Sequence, residues 1–231
     1  MNHFFSDNIV ANSGSLNAED SHHASRVLRL KEGDQISVSP GDGQVFLAQI
    51  KSLHKSATKF EIQSLRRIQS ESKLHIGIAP TKSNDRFEIA LEKLSEFGVN
   101  TIYPIICDHS ERKIYKTERG QRIIEAACKQ SHKGFLPKLD ENLKFENLVA
   151  RKDLPQKRFI AALAEGTNNS LSDINFREEC LVLIGPEGDF SPKEVKLAQE
   201  HGFEILNLGS EVLRTETAAI SVAAIANYHS L

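Results

Sequence analysis

Two glycine-containing loops near the end of the chain hold the residues best suited to chemistry. The first loop, Gly-Pro-Glu-Gly-Asp-Phe at 185–190, follows the apolar run 181–184. The second loop begins with Gly-Ser-Glu at 209–211 and follows the apolar run 205–208. We expect both runs to be strands lying side by side in an α/β sheet, so that both loops stand at its carboxyl edge. Open α/β sheets bind ligands at that edge, and the two loops therefore predict an enzyme that uses a cofactor.

The first loop has the composition of a binding site lined by backbone. Gly185 and Gly188 would let a ligand approach the main chain closely. Ser191, Pro192 and Glu194 form a helix start with a capping box, which fixes where the loop ends. Taken alone, Gly-Pro-Glu-Gly is more typical of a tight structural turn, and it is the second loop that favours a binding site.

The segment after the second loop places charge beside a strongly apolar helix. Arg214 could hold a phosphate or a polarised carbonyl, or it could form an ion pair with Glu216 at the helix start. Thr215 is expected to cap this helix. Residues 218–226 are almost entirely alanine, isoleucine and valine, so the helix must be buried on more than one side. We therefore expect a homodimer with this helix at the interface.

The pattern along the chain predicts two domains. Residues 1–70 have the pattern of a small β-barrel with one helix, and residues 73–231 alternate strands and helices, which is typical of a mostly parallel sheet covered by helices. In the first part we expect a helix from Asn17 to about Leu30 and strands at 35–39, 44–53 and 58–65. In the second part, besides the runs before the glycine loops, we expect strands at 74–79, 101–107 and 159–164, and helices at 85–97, 117–130 and from 191.

Composition and charge exclude several classes of protein. The 231 residues carry a net charge of −2, and the longest apolar runs are far too short to span a membrane. Cys107, Cys128 and Cys180 form no Cys-x-x-Cys pair, and no secretion signal is visible, so we expect a cytoplasmic protein with no disulfide and no bound metal. The window 109–138 holds eight Lys and Arg against three Glu, which indicates either contact with a polyanion or a solvated helix face.

Motifs in a specific order and spacing extend over the whole chain. In the carboxyl-terminal part they are Leu-Ile-Gly-Pro-Glu-Gly at 183–188, Gly-Phe at 202–203 and Leu-Gly-x-x-Val-Leu-Arg-x-Glu-Thr-Ala at 208–218. Earlier motifs are His-x-x-Arg-Val-Leu-Arg at 23–29, Asp-Arg-Phe-Glu at 85–88 and Ser-Glu-Arg at 110–112. Together they resemble the ribosomal RNA small subunit methyltransferase E family, which belongs to the SPOUT class of S-adenosylmethionine-dependent methyltransferases. Asp189 departs from the family, which usually has a second glycine there. Because aspartate tolerates a left-handed backbone, we expect the turn to persist.

The resemblance implies an α/β protein with an N-terminal PUA-like β-barrel and a C-terminal SPOUT domain that contains a deep trefoil knot. It also implies a homodimer that methylates N3 of one uridine in 16S ribosomal RNA, within an assembled small subunit, with S-adenosyl-L-methionine as cofactor and no metal. The residues it assigns to the cofactor are Leu163, Ala164, Glu165, Gly166, Ile184, Gly185, Pro186, Glu187, Gly188, Leu208, Gly209, Ser210, Val212 and Leu213.

Methylation at N3 needs a cation, because loss of the N3 proton places charge on the flanking carbonyl oxygens. Arg214 is the first candidate for that cation and Arg112 the second, while Glu216 is expected to orient Arg214 rather than to accept the proton. The base must be unpaired or flipped out for its edge to be reached. The candidate RNA contacts are His23, Arg26, Arg29, Arg86, Arg112, Lys113, Arg122 and Lys133.

Two other functions stay open on the sequence alone. One is a SPOUT-type methyltransferase acting on a different RNA. The other is an RNA-binding ribosome-assembly factor without catalysis, against which the glycines at 185, 188 and 209 count. A small-molecule enzyme that binds a nucleotide is disfavoured, because the sequence contains neither a P-loop motif nor Gly-x-Gly-x-x-Gly.

Overall fold

The computed structural model describes residues 1–54, 56–69, 72–162 and 169–229. The chain divides into two units. Unit 1 comprises Met1–Glu71 together with Glu125–Leu136, and unit 2 comprises Ser72–Ile124 together with Pro137–Leu231. Each unit has its own sheet. Within the described ranges, no helix is both long and apolar enough to cross a membrane.

Unit 1 is built on a curled, mainly antiparallel sheet. Its strands are β1 (His3–Phe5), β2 (Ile9–Val10), β3 (Ser13–Ser15), β4 (Gln35–Ser39), β5 (Gln44–Ser52) and β6 (Lys59–Ile68). Their order in the sheet is β1-β4-β5-β6-β3-β2, and β1 pairs with β4 in parallel. Three register shifts interrupt the pairing of β5 with β6. Such bulges bend and twist a strand, which explains how a short sheet can curve around the buried side chains of this unit.

The helix of unit 1 ends earlier than the sequence pattern predicts. α1 (Ala18–His22) begins after Asn17, whose side-chain oxygen accepts a hydrogen bond from the Asp20 amide at 2.7 Å, as expected of a cap. It continues as a wider π-helical turn over His23–Val27. The predicted extension to Leu30 is wrong, because Arg29 adopts a left-handed backbone with φ of 54° and so terminates the helix.

Two polar contacts fix the core of unit 1. The imidazole of His3 donates from Nε2 to the Lys133 carbonyl at 2.9 Å, so its Nδ1 accepts from the Ser37 hydroxyl at 3.0 Å. Burial lowers the pKa of His3 to about 4. The Lys129 ammonium pairs with Asp20 at 2.7 Å, and that carboxylate is almost fully buried. Removing Lys129 would leave the Asp20 carboxylate as an uncompensated charge in the interior.

Unit 2 is a parallel α/β sheet, as the alternating pattern predicts. Its strands are β7 (Leu74–Ile78), β8 (Thr101–Ile106), β9 (Lys138–Leu139), β10 (Leu143–Lys144), β11 (Lys157–Ala161), β12 (Cys180–Ile184) and β13 (Glu204–Leu206). The helices are α2 (Asn84–Glu96), α3 (Thr117–Gln130), α4 (Phe145–Val149), α5 (Pro192–Glu200) and α6 (Thr215–His229), with a 3-10 turn at Leu171–Asp173. α3 begins in unit 2, and its last residues, from Glu125, are assigned to unit 1.

The order of the strands corrects one expectation about the two glycine loops. The sheet runs β10-β8-β7-β12-β11-β13, with β9 beside β8. β12 and β13, which precede the two loops, are therefore not neighbours, because β11 lies between them and pairs in parallel with both. The apolar runs alone could not reveal this, since they carry no information about which strand pairs with which.

Both faces of the sheet in unit 2 are covered by helices. On one face, α4 and α5 pack into a cluster with Ile105, Ile160 and Leu183. α6 packs on β7 and β12 and against α2. Val182 and Ile184 alternate with Leu183 along β12 and are just as deeply buried. Burial on both faces explains why these strands are continuously apolar instead of alternating.

Candidate active site

A cavity of about 250 Å³ lies in unit 2 at the carboxyl ends of β11, β12 and β13. Nine of the predicted residues line it, and these are Ile184, Gly185, Pro186, Glu187, Leu208, Gly209, Val212, Leu213 and Arg214. Gly188 and Ser210 are not among its lining residues. The predicted Leu163, Ala164, Glu165 and Gly166 lie outside the described residues. The lining residues that sequence reasoning missed are Ala161, Ala162, Asp189, Leu206, Asn207, Glu211, Thr215 and Ala218.

The first loop is a hydrogen-bonded turn. The Asp189 amide donates to the Pro186 carbonyl at 2.9 Å, which closes a four-residue turn. Asp189 has φ of 60°, so the expectation that aspartate can replace glycine in a left-handed position here is confirmed. Its carboxylate accepts from the Phe190 amide at 2.8 Å. Local hydrogen bonding of this kind is what makes the left-handed region accessible to aspartate.

Neighbouring loops hold the first loop from two sides. On one side, the Glu187 carboxylate accepts from the Lys82 amide at 3.1 Å. On the other side, His109 Nδ1 lies 2.9 Å from the Gly188 oxygen and 3.0 Å from the Asp189 oxygen. Lys82 follows β7 and His109 follows β8, so the carboxyl ends of three adjacent strands meet around this loop.

A buried carboxylate fixes the start of α5, directly after the first loop. The predicted capping box is confirmed: the Glu194 amide donates to the Ser191 hydroxyl at 3.2 Å, and the Ser191 amide donates to Glu194 Oε2 at 2.8 Å. Glu194 Oε1 also accepts from the Asp108 amide at 3.0 Å, and the Ser191 hydroxyl donates to the Asp108 carboxylate at 2.7 Å. The cap therefore also ties the segment after β8 to α5.

The second loop is far less supported. In the structure it extends over residues 207–214, because α6 begins only at Thr215. Most of its residues are exposed, with Val212 at 81%. Gly209 has φ of 127° and open space around the position of a Cβ atom. Two hydrogen bonds shape the start of the loop: the Gly209 amide donates to the Asn207 side chain at 2.9 Å, and the Asn207 amide donates to the Asn169 carbonyl at 3.0 Å.

Thr215 links the first loop to α6 instead of capping the helix. The Arg214 carbonyl accepts the first helical hydrogen bond, from the Ala218 amide at 2.8 Å, so Arg214 occupies the capping position. The Thr215 hydroxyl, which is free to point elsewhere, donates to the Gly185 carbonyl at 3.0 Å in a buried contact. The expectation of a threonine cap is therefore wrong, and the residue instead connects the two sides of the cavity.

Arg214 and Glu216 do not form the expected pair. Arg214 is exposed at the cavity, and its guanidinium has no hydrogen-bond or ion-pair partner among the described residues. The Glu216 side chain is 12% exposed, and its nearest cation is Arg86 on α2, at 4.0 Å. Its Oε2 is buried without a hydrogen-bond partner within the described ranges. The orienting contact expected from Glu216 to Arg214 is thus not made in this structure.

The cavity is acidic overall. Glu187, Asp189 and Glu211 line it, against the single cation Arg214. Most of the other lining side chains are apolar, including leucines, alanines, Pro186 and Val212. Among the described residues, no group of three or more histidine, cysteine or carboxylate side chains is placed to hold a metal ion.

The residues predicted to contact RNA are divided between the two units. His23, Arg26 and Arg29 are exposed in unit 1, where Lys133 is half-buried. Arg86 and Arg112 are half-buried in unit 2, where Lys113 and Arg122 are exposed.

Arg112 has a structural use in unit 2. Its Nε donates to the Thr81 carbonyl at 2.9 Å, and Nη2 donates to the Lys82 carbonyl. It therefore fastens the segment after β7, which in turn contacts the first loop through Glu187. Sequence reasoning also did not single out His109 and Asp108, which contact the first loop and the start of α5. The available signal was their position, as polar residues directly after a buried strand at the edge where both loops were expected.

Comparison with known proteins identifies the family. A family profile described as an RNA methyltransferase domain matches residues 69–227, and one described as an RNA methyltransferase PUA domain matches residues 16–63. The ribosomal RNA small subunit methyltransferase E of Synechocystis sp. is 30% identical over 222 residues, which cover 92% of this chain and 72% of that protein.

Solved structures agree with this. A Legionella pneumophila protein described as a methyltransferase, with the cofactor SAM bound, superposes with a TM-score of 0.86 at 29% identity, covering 98% of this chain and 96% of that one. The ribosomal RNA small subunit methyltransferase E of Neisseria gonorrhoeae, bound to S-adenosyl methionine, has a TM-score of 0.86 at 25% identity, covering 97% and 95%. The chain described here therefore belongs to the RNA methyltransferase family, in the group of ribosomal RNA small subunit methyltransferase E proteins.

Proposed function

We propose that this chain transfers a methyl group from S-adenosyl-L-methionine to N3 of a specific uridine in 16S ribosomal RNA. The observation that carries the proposal is the cavity at the carboxyl ends of β11, β12 and β13, with the Arg214 guanidinium exposed beside it, in a member of this family. Relatives that are named for the small-subunit ribosomal RNA, and two solved neighbours that hold the cofactor, support the choice of substrate and methyl donor.

The residues of the cavity fit this cofactor. Its sulfonium and ammonium groups outweigh its one carboxylate, so it carries net positive charge, and Glu187, Asp189 and Glu211 supply complementary negative charge. The apolar side chains from the second loop and from β13 suit an adenine ring. A nucleotide phosphate would instead face three carboxylates, which argues against the small-molecule alternative. The cofactor-facing role of the predicted residues in both loops is part of this proposal.

The methyl donor supplies an electrophilic carbon on a sulfonium, and the rest of the chemistry falls to positioning and proton removal. During transfer the uridine N3 loses its proton and gains the methyl group, and negative charge spreads onto the O2 and O4 carbonyl oxygens. Arg214 is placed at the cavity with its guanidinium available, so we assign to it the stabilisation of that charge. Arg112 is a weaker candidate, because two of its nitrogens already donate to backbone carbonyls.

Glu216 has a different place in the proposal. Since it faces Arg86 at 4.0 Å and not Arg214, we assign it to holding the start of α6, directly after Arg214 in the chain. The half-buried Arg86 is its partner in this role. The proton from N3 is then accepted by water or by a group of the RNA, since no side chain of the described site stands in a geometry that marks it as a base.

For RNA binding we propose that residues 1–70 act as a PUA-like barrel and that residues 73–231 form the SPOUT methyltransferase domain. The exposed His23, Arg26 and Arg29 would contact the RNA backbone from the first domain. Arg86, Arg112, Lys113 and Arg122 would contribute from the second, and Lys133 from the α3 end. Because these contacts are to phosphates, binding should weaken steeply with salt.

The assembly is also a proposal. α6 packs on its own sheet through Val222 and Ala226, yet Tyr228 on the same helix is 74% exposed. A second copy covering that face would complete the burial, so we propose a homodimer.

We further propose a deep trefoil knot. This part of the proposal rests on the family to which the chain belongs. Action in the cytoplasm, on an assembled small subunit, completes the proposal.

The decisive test uses small ribosomal subunits from cells that lack the modification, with naked 16S ribosomal RNA as the parallel substrate. The purified protein and labelled S-adenosylmethionine should produce 3-methyluridine, detected by nucleoside mass spectrometry and located by the reverse-transcription stop it causes. Methylation of another nucleoside would establish the alternative RNA target. Cofactor binding without transfer to either substrate would instead favour the non-catalytic assembly factor.

A further inference from the structure

His109 contacts the first loop from the segment that follows β8, and the proposed chemistry does not use it. Its Nδ1 lies 2.9 Å from the Gly188 oxygen and 3.0 Å from the Asp189 oxygen. Carbonyl oxygens only accept, so Nδ1 carries the hydrogen and donates to both. A Cβ atom at position 188 would stand 3.1 Å from the Cβ of His109. The two segments therefore approach so closely that a side chain at position 188 would press on His109.

The backbone that carries His109 is itself fixed. The Asp108 amide donates to the Glu194 carboxylate at 3.0 Å, and the Asp108 carboxylate accepts from the Ser191 hydroxyl at 2.7 Å. Both partners are at least nine-tenths buried. The imidazole is therefore held against residues 188–189 by a rigid support. The side chain of His109 is exposed, but the backbone that carries it is fixed. This arrangement suits a residue that holds the first loop by hydrogen bonds, which we call a clamp, better than a residue that packs in the core.

We propose that His109 is a positioning residue for methyl transfer, which holds the first loop in its cofactor-binding shape through the carbonyls of Gly188 and Asp189. Asp189 lines the cavity and has a left-handed backbone. The loop's own hydrogen bonds make this conformation accessible to aspartate, and contacts from outside the loop add to its stability. The inference rests on the proposed function, because it assumes that the cavity binds the methyl donor.

Three substitutions of His109 distinguish a hydrogen-bonding role through Nδ1 from a purely steric role of the side chain. In His109→Asn the side-chain amide nitrogen can take the place of Nδ1, whereas in His109→Gln it takes the place of Nε2. His109→Ala removes the donor altogether. We expect the glutamine and alanine variants to bind S-adenosylmethionine about tenfold more weakly by calorimetry, the scale of one lost hydrogen-bond donor. The asparagine variant should bind within about threefold of the parent, since the donor is restored. Thermal unfolding of all three should stay near that of the parent, because His109 is exposed.

Equal affinity of the glutamine and asparagine variants would overturn the inference, since a clamp through Nδ1 must distinguish them. A parent protein that does not bind S-adenosylmethionine at all would instead overturn the proposed function. The effect of His109 on the loop can also be measured without ligand, by hydrogen exchange of the Asp189 amide that closes the turn. That amide should exchange faster in His109→Ala and His109→Gln than in the parent or His109→Asn. Unchanged exchange in all variants would reject the clamp independently of cofactor binding.

Discussion

The first and second loops line the same cavity but are built in opposite ways. The first loop is closed by its own turn and is held from outside by Lys82, His109 and Thr215. The second loop is mostly exposed, and the hydrogen bonds that shape it lie at its start, at Asn207 and Gly209. Local stability follows buried contacts and protected hydrogen bonds. We therefore expect the first loop to be a fixed template and the second, which carries Arg214, to adjust its shape around the ligand.

The largest expected effect, on the rate of methyl transfer, comes from removing Arg214, the cation of the second loop. Arg214→Ala should lower the rate of methyl transfer at least about 100-fold, the scale for loss of one charge-stabilising donor. The affinity for S-adenosylmethionine should change by less than about threefold, because the fixed loop remains intact. Single-turnover assays and calorimetry measure the two quantities separately. Unchanged turnover would remove Arg214 from the mechanism, and Arg214→Lys shows whether charge suffices without the guanidinium fork.

An intermediate effect is expected at Thr215, whose hydroxyl links the start of α6 to the first loop. Thr215→Val keeps the shape of the side chain but removes the donor to the buried Gly185 carbonyl. Leaving such a group unsatisfied costs about 1–3 kcal/mol. We therefore expect a lower unfolding midpoint and a cofactor affinity reduced about tenfold. Thr215→Ser retains the hydroxyl and is the matched control. Equal behaviour of the two variants would mean that the contact does not couple the loops.

Glycine substitutions compare the two loops directly. Gly188→Ala places a Cβ atom 3.1 Å from His109, in a loop with little freedom to adjust. Gly209→Ala introduces strain at φ of 127° but meets open space. Because few contacts hold the second loop, we expect it to relax and to lose no more than about fivefold in cofactor affinity. Gly188→Ala should lose more. The reverse order in calorimetry would contradict the distinction between a fixed and an open loop.

The smallest effect on the cavity is expected from His3 in unit 1. Its pKa is lowered to about 4 by burial, from 6.5 in the unfolded chain. The folded state therefore binds the proton less well, so the stabilisation is complete above pH 6.5 and is lost as the pH falls through 4. The loss amounts to about 3 kcal/mol. Unfolding midpoints between pH 7 and 4 should fall more steeply for the parent than for His3→Gln, which keeps a donor towards the Lys133 carbonyl. Cofactor affinity at pH 7 should be the same in both.

Sequence patterns predict the long elements of this molecule well and the short ones poorly. Helix 117–130 has the predicted bounds, because its periodicity extends over several turns. β1, β9 and β10, each only two or three residues long, were not predicted, since pairing with β4 and β8 defines them and no local pattern does. The π-helical turn in unit 1 was also unforeseen. It depends on how Arg29 leaves the helix and not on side-chain spacing.

The candidate site shows the same division between local and long-range information. The glycines and the capping box of the first loop could be recognised because their geometry is local. The position of β11 between the two glycine-tipped strands could not, nor could the hydroxyl of Thr215 reaching Gly185, 30 residues away in the chain. Contacts between segments far apart in sequence leave no periodic signal. For the same reason, the position of His109 and Asp108 after a buried strand indicates the edge of the sheet at which they lie but not the residues that they contact.

The acidic lining of the cavity has a consequence for the catalytic cycle. Glu187, Asp189 and Glu211 line the cavity and, on the proposed function, would attract a positively charged methyl donor, whereas the demethylated product carries a neutral sulfur. The demethylated product would therefore be held by a weaker electrostatic attraction than the methyl donor. Its lower affinity for the cavity would reduce product inhibition without a conformational change. Because exposed charges are screened by salt, the preference for the fresh donor over the spent one should narrow as ionic strength rises.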